Sequence, residues 1–157
     1  MNAGCFKREF KDVLVSVQAL NKDGEVVTIP AKNIAFKYRN NDLSNDLVFL
    51  SASFKGIKKD KIAIEHEMKK MKDNKEKAQP TKIKTSGSTF KNPIEQTDKK
   101  VWMLIRDSVS MDTSFGDAKI SEKHSNFFVN KNNASFKDMK KLIDFVAENV
   151  EKKTGIK

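Results

Sequence analysis

Apolar and polar residues alternate over residues 12–20, DVLVSVQAL, with Val13, Val15 and Val17 on one face. A period of two predicts a half-buried strand. Asn21-Lys22-Asp23-Gly24 is a turn sequence in which Gly24 can take a positive φ. Glu25 to Ile29 resumes the strand pattern and Pro30 ends it, so residues 12–29 predict a hairpin. Residues 47–57, LVFLSASFKGI, predict a third strand with Val48, Leu50, Ala52 and Phe54 in register. Over residues 60–76 the period becomes helical, with Ile64, Met68 and Met71 at i, i+4 and i+7. Gln79-Pro80-Thr81 breaks that pattern. Residues 84–93, KTSGSTFKNP, read as a loop, residues 98–107 as a short helix carrying Val101, Trp102 and Ile105, and residues 108–118 as irregular. Phe127-Phe128-Val129 predicts a short strand. The last helix is the clearest element. Ser135 and Asp138 form a capping-box pattern, Phe136, Met139, Ile143, Val146 and Val150 follow at spacings of three and four, and Gly155 stands where a C-terminal cap belongs.

The chain has 157 residues with a formal net charge of +10, and 28 of its 31 basic residues are lysine. That excess invites a nucleic-acid reading. The dearth of arginine and the mixing of signs through Lys58–Lys77 point instead to a solvated helix face. No specific nucleic-acid partner is expected. No apolar run approaches the ~18 residues of a membrane-spanning helix, and MNAGCFKREF has no secretory h-region. Neither a membrane partner nor export is expected, and the cytoplasm is the default location. A single cysteine, Cys5, excludes an internal disulfide framework and a multi-cysteine zinc site, and it is expected to be a small buried residue.

Familiar catalytic signatures are absent: no P-loop, no dinucleotide glycine fingerprint and no nucleophile elbow. His66 reads as an exposed residue of the Lys-rich helix, and His124 as a loop or capping histidine with a possible site role. Tyr38-Arg39 stands out because arginine is scarce, and a planar guanidinium suits a carboxylate or phosphate as well as a surface ion pair. The 84–93 loop is the best local signal. Gly87 frees the backbone, Ser88 can exchange a proton, Lys91 and Asn92 add donors, and Pro93 stiffens the exit. Pattern alone leaves a decorated turn and a working site equally open.

Taken together, MNAG at the start, FKYRNN at 36–41, GSTFKNP at 87–93 and GDAKISEKHSNFFVN at 116–130 resemble the UDP-N-acetylenolpyruvoylglucosamine reductase (UDP-N-acetylmuramate dehydrogenase) family. The resemblance implies an α+β fold. Residues 1–57 would be the end of a flavin-binding domain, a small antiparallel sheet. Residues 58–157 would be the substrate-binding C-terminal domain without its last segment. It implies FAD and NADPH as cofactors and a UDP-sugar substrate reduced at its enolpyruvyl group in peptidoglycan synthesis. Asn2, Ala3 and Gly4 match a flavin-contacting backbone segment, Arg39 the enolate-stabilising arginine and Ser88 the proton donor. Tyr38, Lys91, Asn92 and His124 fall at substrate-contacting places. The family's earlier flavin-binding region and its later catalytic glutamate have no counterpart among these residues. The resemblance therefore implies a piece truncated at both ends, with a complementary N-terminal polypeptide as a partner. A non-catalytic remnant that binds a nucleotide sugar, or a basic polyanion-binding protein, would be the other readings.

Overall fold

The computed structural model describes residues 2–157. It is an α+β chain of two compact units, residues 1–67 and 68–157. In the first unit, β1 (Gly4–Cys5) and β2 (Arg8–Glu9) form a short hairpin. A three-stranded antiparallel sheet follows, with β3 (Leu14–Leu20) between β4 (Val26–Pro30) and a later strand, Val48–Phe54. Between them lies a second small hairpin, β5 (Phe36–Lys37) with β6 (Asn40–Asn41), so Val48–Phe54 is β7. Leu14, Val17 and Ile34 form the core of this unit, packed by Phe10, Ile29, Phe36 and Leu43.

The buried face of β3 differs from the predicted one. Val13 and Val15 are 44% and 48% exposed, while Leu14, Val17 and Ala19 are buried. Pairing of β3 with β7 shifts register between Leu14 and Ser16, and one extra residue there exchanges the two faces. Cys5, expected inside, is exposed on β1.

Helix α1 (Lys61–Ala78) spans the division between the units and buries none of its side chains, His66 included. Its Ile64, Met68 and Met71 stripe is solvent-facing, and Lys61–Glu65 pairs along its surface at 3.8 Å.

In the second unit, β8 (Lys84–Ser88) is followed by α2 (Val101–Ser108), β9 (Ser114–Phe115), β10 (Ala118–Ile120), β11 (Phe127–Asn130) and α3 (Phe136–Thr154). The strands form an antiparallel sheet in the order β8-β11-β10-β9. Half of the predicted 84–93 loop is thus an edge strand. Its serines, threonine and glycine look like a loop, yet backbone pairing with β11 makes it a strand. Leu104, Ile105, Ile120, Phe128, Leu142 and Val146 fill the core between the helices and the sheet.

Helix α3 starts as its sequence predicts: Ser135 Oγ accepts from the Asp138 amide at 3.1 Å, and Asp138 Oδ2 accepts from the Ser135 amide at 2.9 Å. Gly155 closes it in the left-handed conformation. The buried stripe is Leu142, Val146 and Val150, whereas Phe136, at the first helical position, is 83% exposed. Gly116, at φ 54° in the β9–β10 turn, faces this cap. A Cβ there would lie 2.9 Å from the Asp138 carboxyl carbon, so the turn and the helix start meet only through a glycine.

Candidate functional site

The site residues predicted from the sequence fall into two groups, one in each unit. In the first unit, Tyr38 and Arg39 are the two-residue tip of the β5–β6 hairpin. Arg39 adopts φ 51°, a left-handed conformation that costs a side-chain-bearing residue about 1 kcal/mol. Its guanidinium carbon lies 5.9 Å from the centroid of the Tyr38 ring, close enough for a cation–π interaction. Tyr38 also forms an isolated parallel bridge with Asn2, so the N-terminal segment and the arginine tip are neighbours.

Asn2 is buried, and its side chain is engaged on both ends. Nδ2 donates to Glu9 Oε2 at 3.0 Å, and Oδ1 accepts from the Lys11 amide at 3.1 Å. Glu9 is held below the usual carboxylate range first by its hydrogen bond to Lys11, then by that to Asn2. The Ala3 carbonyl accepts from the Phe10 amide at 2.8 Å. Ala3 and Gly4 are exposed. Ala3 and Gly4 are thus the exposed part of this segment, and the Asn2 side chain serves the hairpin.

In the second unit, β8 and β11 pair through Ser88–Phe127 and Thr85–Val129. Two residues, Ser86 and Gly87, oppose Phe128 alone, which makes a β-bulge immediately before Ser88. Gly87 takes φ 91°, a conformation that favours glycine. Its amide donates to Thr85 Oγ1 at 3.2 Å, and that hydroxyl donates to the Phe128 carbonyl at 2.8 Å. The bulge thus falls immediately before Ser88, the place in a strand where such an irregularity re-aims the side chains that follow.

The residues after Ser88 are held by Asn126. The Thr89 amide donates to the Asn126 carbonyl at 2.8 Å. The Phe90 amide donates to Asn126 Oδ1 at 2.9 Å, and Asn126 Nδ2 donates to the Phe90 carbonyl at 3.0 Å. The Asn126 amide in turn donates to His124 Nδ1 at 3.2 Å. That bond requires an unprotonated Nδ1, which leaves the His124 hydrogen on Nε2. The imidazole packs against Phe127 at 4.8 Å and Trp102 at 6.4 Å between centroids, and burial pushes its pKa down.

The 84–93 segment thus lies on one network with His124. Its other two predicted residues diverge. Asn92 Oδ1 accepts from the Val101 amide at 3.0 Å and so caps the start of α2. Lys91 is exposed and lines a cleft of about 460 Å³ with Thr89, Phe90, Leu104, Val150 and Lys157; Ser88 is not among its lining residues. Sequence reasoning gave Asn126 no role. Its signals are membership of the GDAKISEKHSNFFVN motif and a place directly before the apolar run Phe127–Val129.

The second unit is thus an α+β unit in which Ser88 follows a glycine bulge and the next two residues are bonded to Asn126. The family model for "UDP-N-acetylenolpyruvoylglucosamine reductase, C-terminal domain" matches residues 79–157, and the chain belongs to the UDP-N-acetylenolpyruvoylglucosamine reductase family. It is 72% identical over 156 residues to the UDP-N-acetylenolpyruvoylglucosamine reductase of Pelagibacter ubique, covering 99% of this chain and 52% of that protein. The enzyme of the same name from Rickettsia typhi is 40% identical over 156 residues, with 99% and 52% covered. The crystal structure of the UDP-N-acetylenolpyruvylglucosamine reductase from Thermus caldophilus superposes with a TM-score of 0.80 at 27% identity, covering 100% of this chain and 55% of that one. The chain spans about half the length of these relatives.

Proposed function

We propose that these residues supply the substrate-binding and protonation half of a cytoplasmic reductase that converts UDP-N-acetylglucosamine enolpyruvate to UDP-N-acetylmuramate in peptidoglycan synthesis. Held beside the Asn2–Gly4 backbone, a bound FAD reduced by NADPH would supply hydride to the methylene carbon of the enolpyruvyl double bond. The displaced electron pair moves toward the carboxylate as an enolate. Arg39 binds that carboxylate through its two-pronged guanidinium and stabilises the added charge. The Ser88 hydroxyl gives its proton to the α-carbon, and water returns a proton to the serine oxygen. An alcohol is a weak acid, but an enolate carbon is basic enough to take its proton when the geometry is fixed. Tyr38 flanks Arg39, and Asn2, Ala3 and Gly4 offer a backbone edge to the flavin. By resemblance to the family, Lys91, Asn92 and His124 are assigned as substrate contacts, Asn92 also holding the start of α2.

The observation that supports this reading is the bulge at Gly87 immediately before Ser88, with the next two residues bonded to Asn126. In the flavin-loaded reductase containing these residues, Ser88→Ala should leave flavin reduction by NADPH within about threefold of normal. It should slow oxidation of the reduced flavin by substrate by about 10²-fold or more, the contribution of a general acid. Equal rates of both half-reactions in the variant and the parent would remove Ser88 from the proton-donor role.

A further inference from the structure

We propose that Asn126 is a positioning residue for the proton transfer, acting through Ser88; the inference rests on the Ser88 reading above. Three bonds converge on Asn126 from the two residues that follow Ser88. Its carbonyl takes the N–H of the Ser88–Thr89 peptide unit at 2.8 Å. Its side-chain amide takes the N–H of Phe90 at 2.9 Å and donates to the carbonyl of the same residue at 3.0 Å. A planar amide presents an acceptor and a donor side by side, and among side chains of this length only asparagine does so. Asn126 mimics a neighbouring strand at the point where the real strand pairing, Ser88 with Phe127, comes to an end.

Asn126 is itself fixed. It is 4% exposed, and its own amide is bonded to His124 Nδ1 at 3.2 Å. The Phe90 ring, one residue beyond the first clamp point, packs edge-on against Phe128 at 5.8 Å. Upstream, the bulge is tied by Thr85. Ser88 therefore sits between two anchored stretches of backbone. Loss of the downstream anchor lets its oxygen drift, and a displacement of ~1 Å at a reacting group costs about 10²-fold in rate.

The test uses the flavin-loaded reductase with Asn126→Ala, Asn126→Asp, Ser88→Ala and, as a control in the same turn, Ser125→Ala. Asp keeps the volume and the acceptor but removes the donor to the Phe90 carbonyl. Ser125 Oγ donates to the Trp102 carbonyl at 2.6 Å, a bond to α2 rather than to the 88–90 segment. Both Asn126 variants should slow oxidation of reduced flavin by UDP-N-acetylglucosamine enolpyruvate roughly 10- to 100-fold, with KM and flavin reduction by NADPH within about threefold. Ser125→Ala should leave all three within about threefold. Independently of turnover, Asn126→Ala should speed amide hydrogen exchange of Thr89 and Phe90 at least tenfold, with Ile120 and Phe128 unchanged. If Ser88→Ala slows the substrate half-reaction and neither Asn126 variant does, the positioning role is wrong and the Ser88 reading stands. If Ser125→Ala is as damaging as Asn126→Ala, or both half-reactions fall together, Asn126 is structural only and the inference fails. If Ser88→Ala has no effect, the underlying reading falls and takes this inference with it.

Discussion

The hydroxyl of Thr85 donates to the carbonyl of Phe128 at 2.8 Å, across the point where β8 bulges away from β11. The same oxygen accepts from the Gly87 amide at 3.2 Å. One side chain thus satisfies a backbone group on each strand that the bulge removes from the ladder. Thr85→Val keeps the branched shape and deletes both bonds, so a carbonyl in the core and a strand amide lose their partner. The variant should be less stable by about 1–3 kcal/mol. Urea unfolding followed at Trp102, the chain's only tryptophan, would measure this. A change below ~0.5 kcal/mol, within the range of ordinary surface substitutions, would mean that the bulge does not depend on Thr85.

Local features of this fold were legible in the sequence and pairing-dependent ones were not. The Ser135–Asp138 cap and the Gly155 stop depend on residues three or four apart, and both stand as read. The buried face of β3 depends on how distant Phe54 and Ser53 meet Leu14 and Ser16, so the alternation of Val13, Val15 and Val17 misled. Residues 84–88 read as a loop because their composition is that of a turn, while the strand comes from β11 some 40 positions away. Phe136 fits the spacing of the α3 stripe yet stands in solvent, since the first turn projects beyond the core that Leu142 and Val146 fill. Among the candidate residues, Ser88, Arg39 and Gly87 stood out as members of ordered motifs, and arginine is scarce as well. Asn126 lies in a motif too, but its clamping role was not legible, because its partners lie 36 positions earlier and leave no periodic trace.

The His124 ring should impose a pH dependence on this unit. Burial against Trp102 and Phe127 lowers its pKa, and a backbone hydrogen bond offsets part of that. An unfolded histidine titrates near ~6.5, so the unfolded chain takes the proton more readily than the folded one. Stability is therefore complete above ~6.5, is lost as pH falls below it toward the folded value, and levels off beneath that value. Protonation also converts Nδ1 into a donor facing the Asn126 amide, which removes the bond at 3.2 Å. The NMR titration midpoint of His124 should lie below ~6.5, and the Asn126 amide shift should follow it. In urea, the transition seen at Trp102 should weaken between about pH 7 and pH 5 more in the parent than in His124→Gln. A midpoint above the unfolded value would reverse the sign and sink the argument.

Arg39 offers the sharpest functional test in the first unit, because its backbone conformation can be held constant. Arg39 pays for its φ of 51° whatever its head group is, and lysine would carry the same cost. Arg39→Lys therefore changes only the charge-bearing end: a planar fork with five donors becomes a compact ammonium. A carboxylate bound by two parallel bonds would keep one, and the enolate formed from it would lose donors where charge develops. In the flavin-loaded reductase, kcat/KM for the enolpyruvyl substrate should fall on the order of 10²-fold, the usual cost of one such donor. KM should rise as well, because the carboxylate is present before the hydride arrives. That rise separates Arg39 from Ser88, whose loss should act on the chemical step with little change in KM. Flavin reduction by NADPH should be unaffected in both variants. If Arg39→Lys keeps kcat/KM within about threefold of the parent, a simple positive charge suffices at this position and the bidentate carboxylate contact must be abandoned.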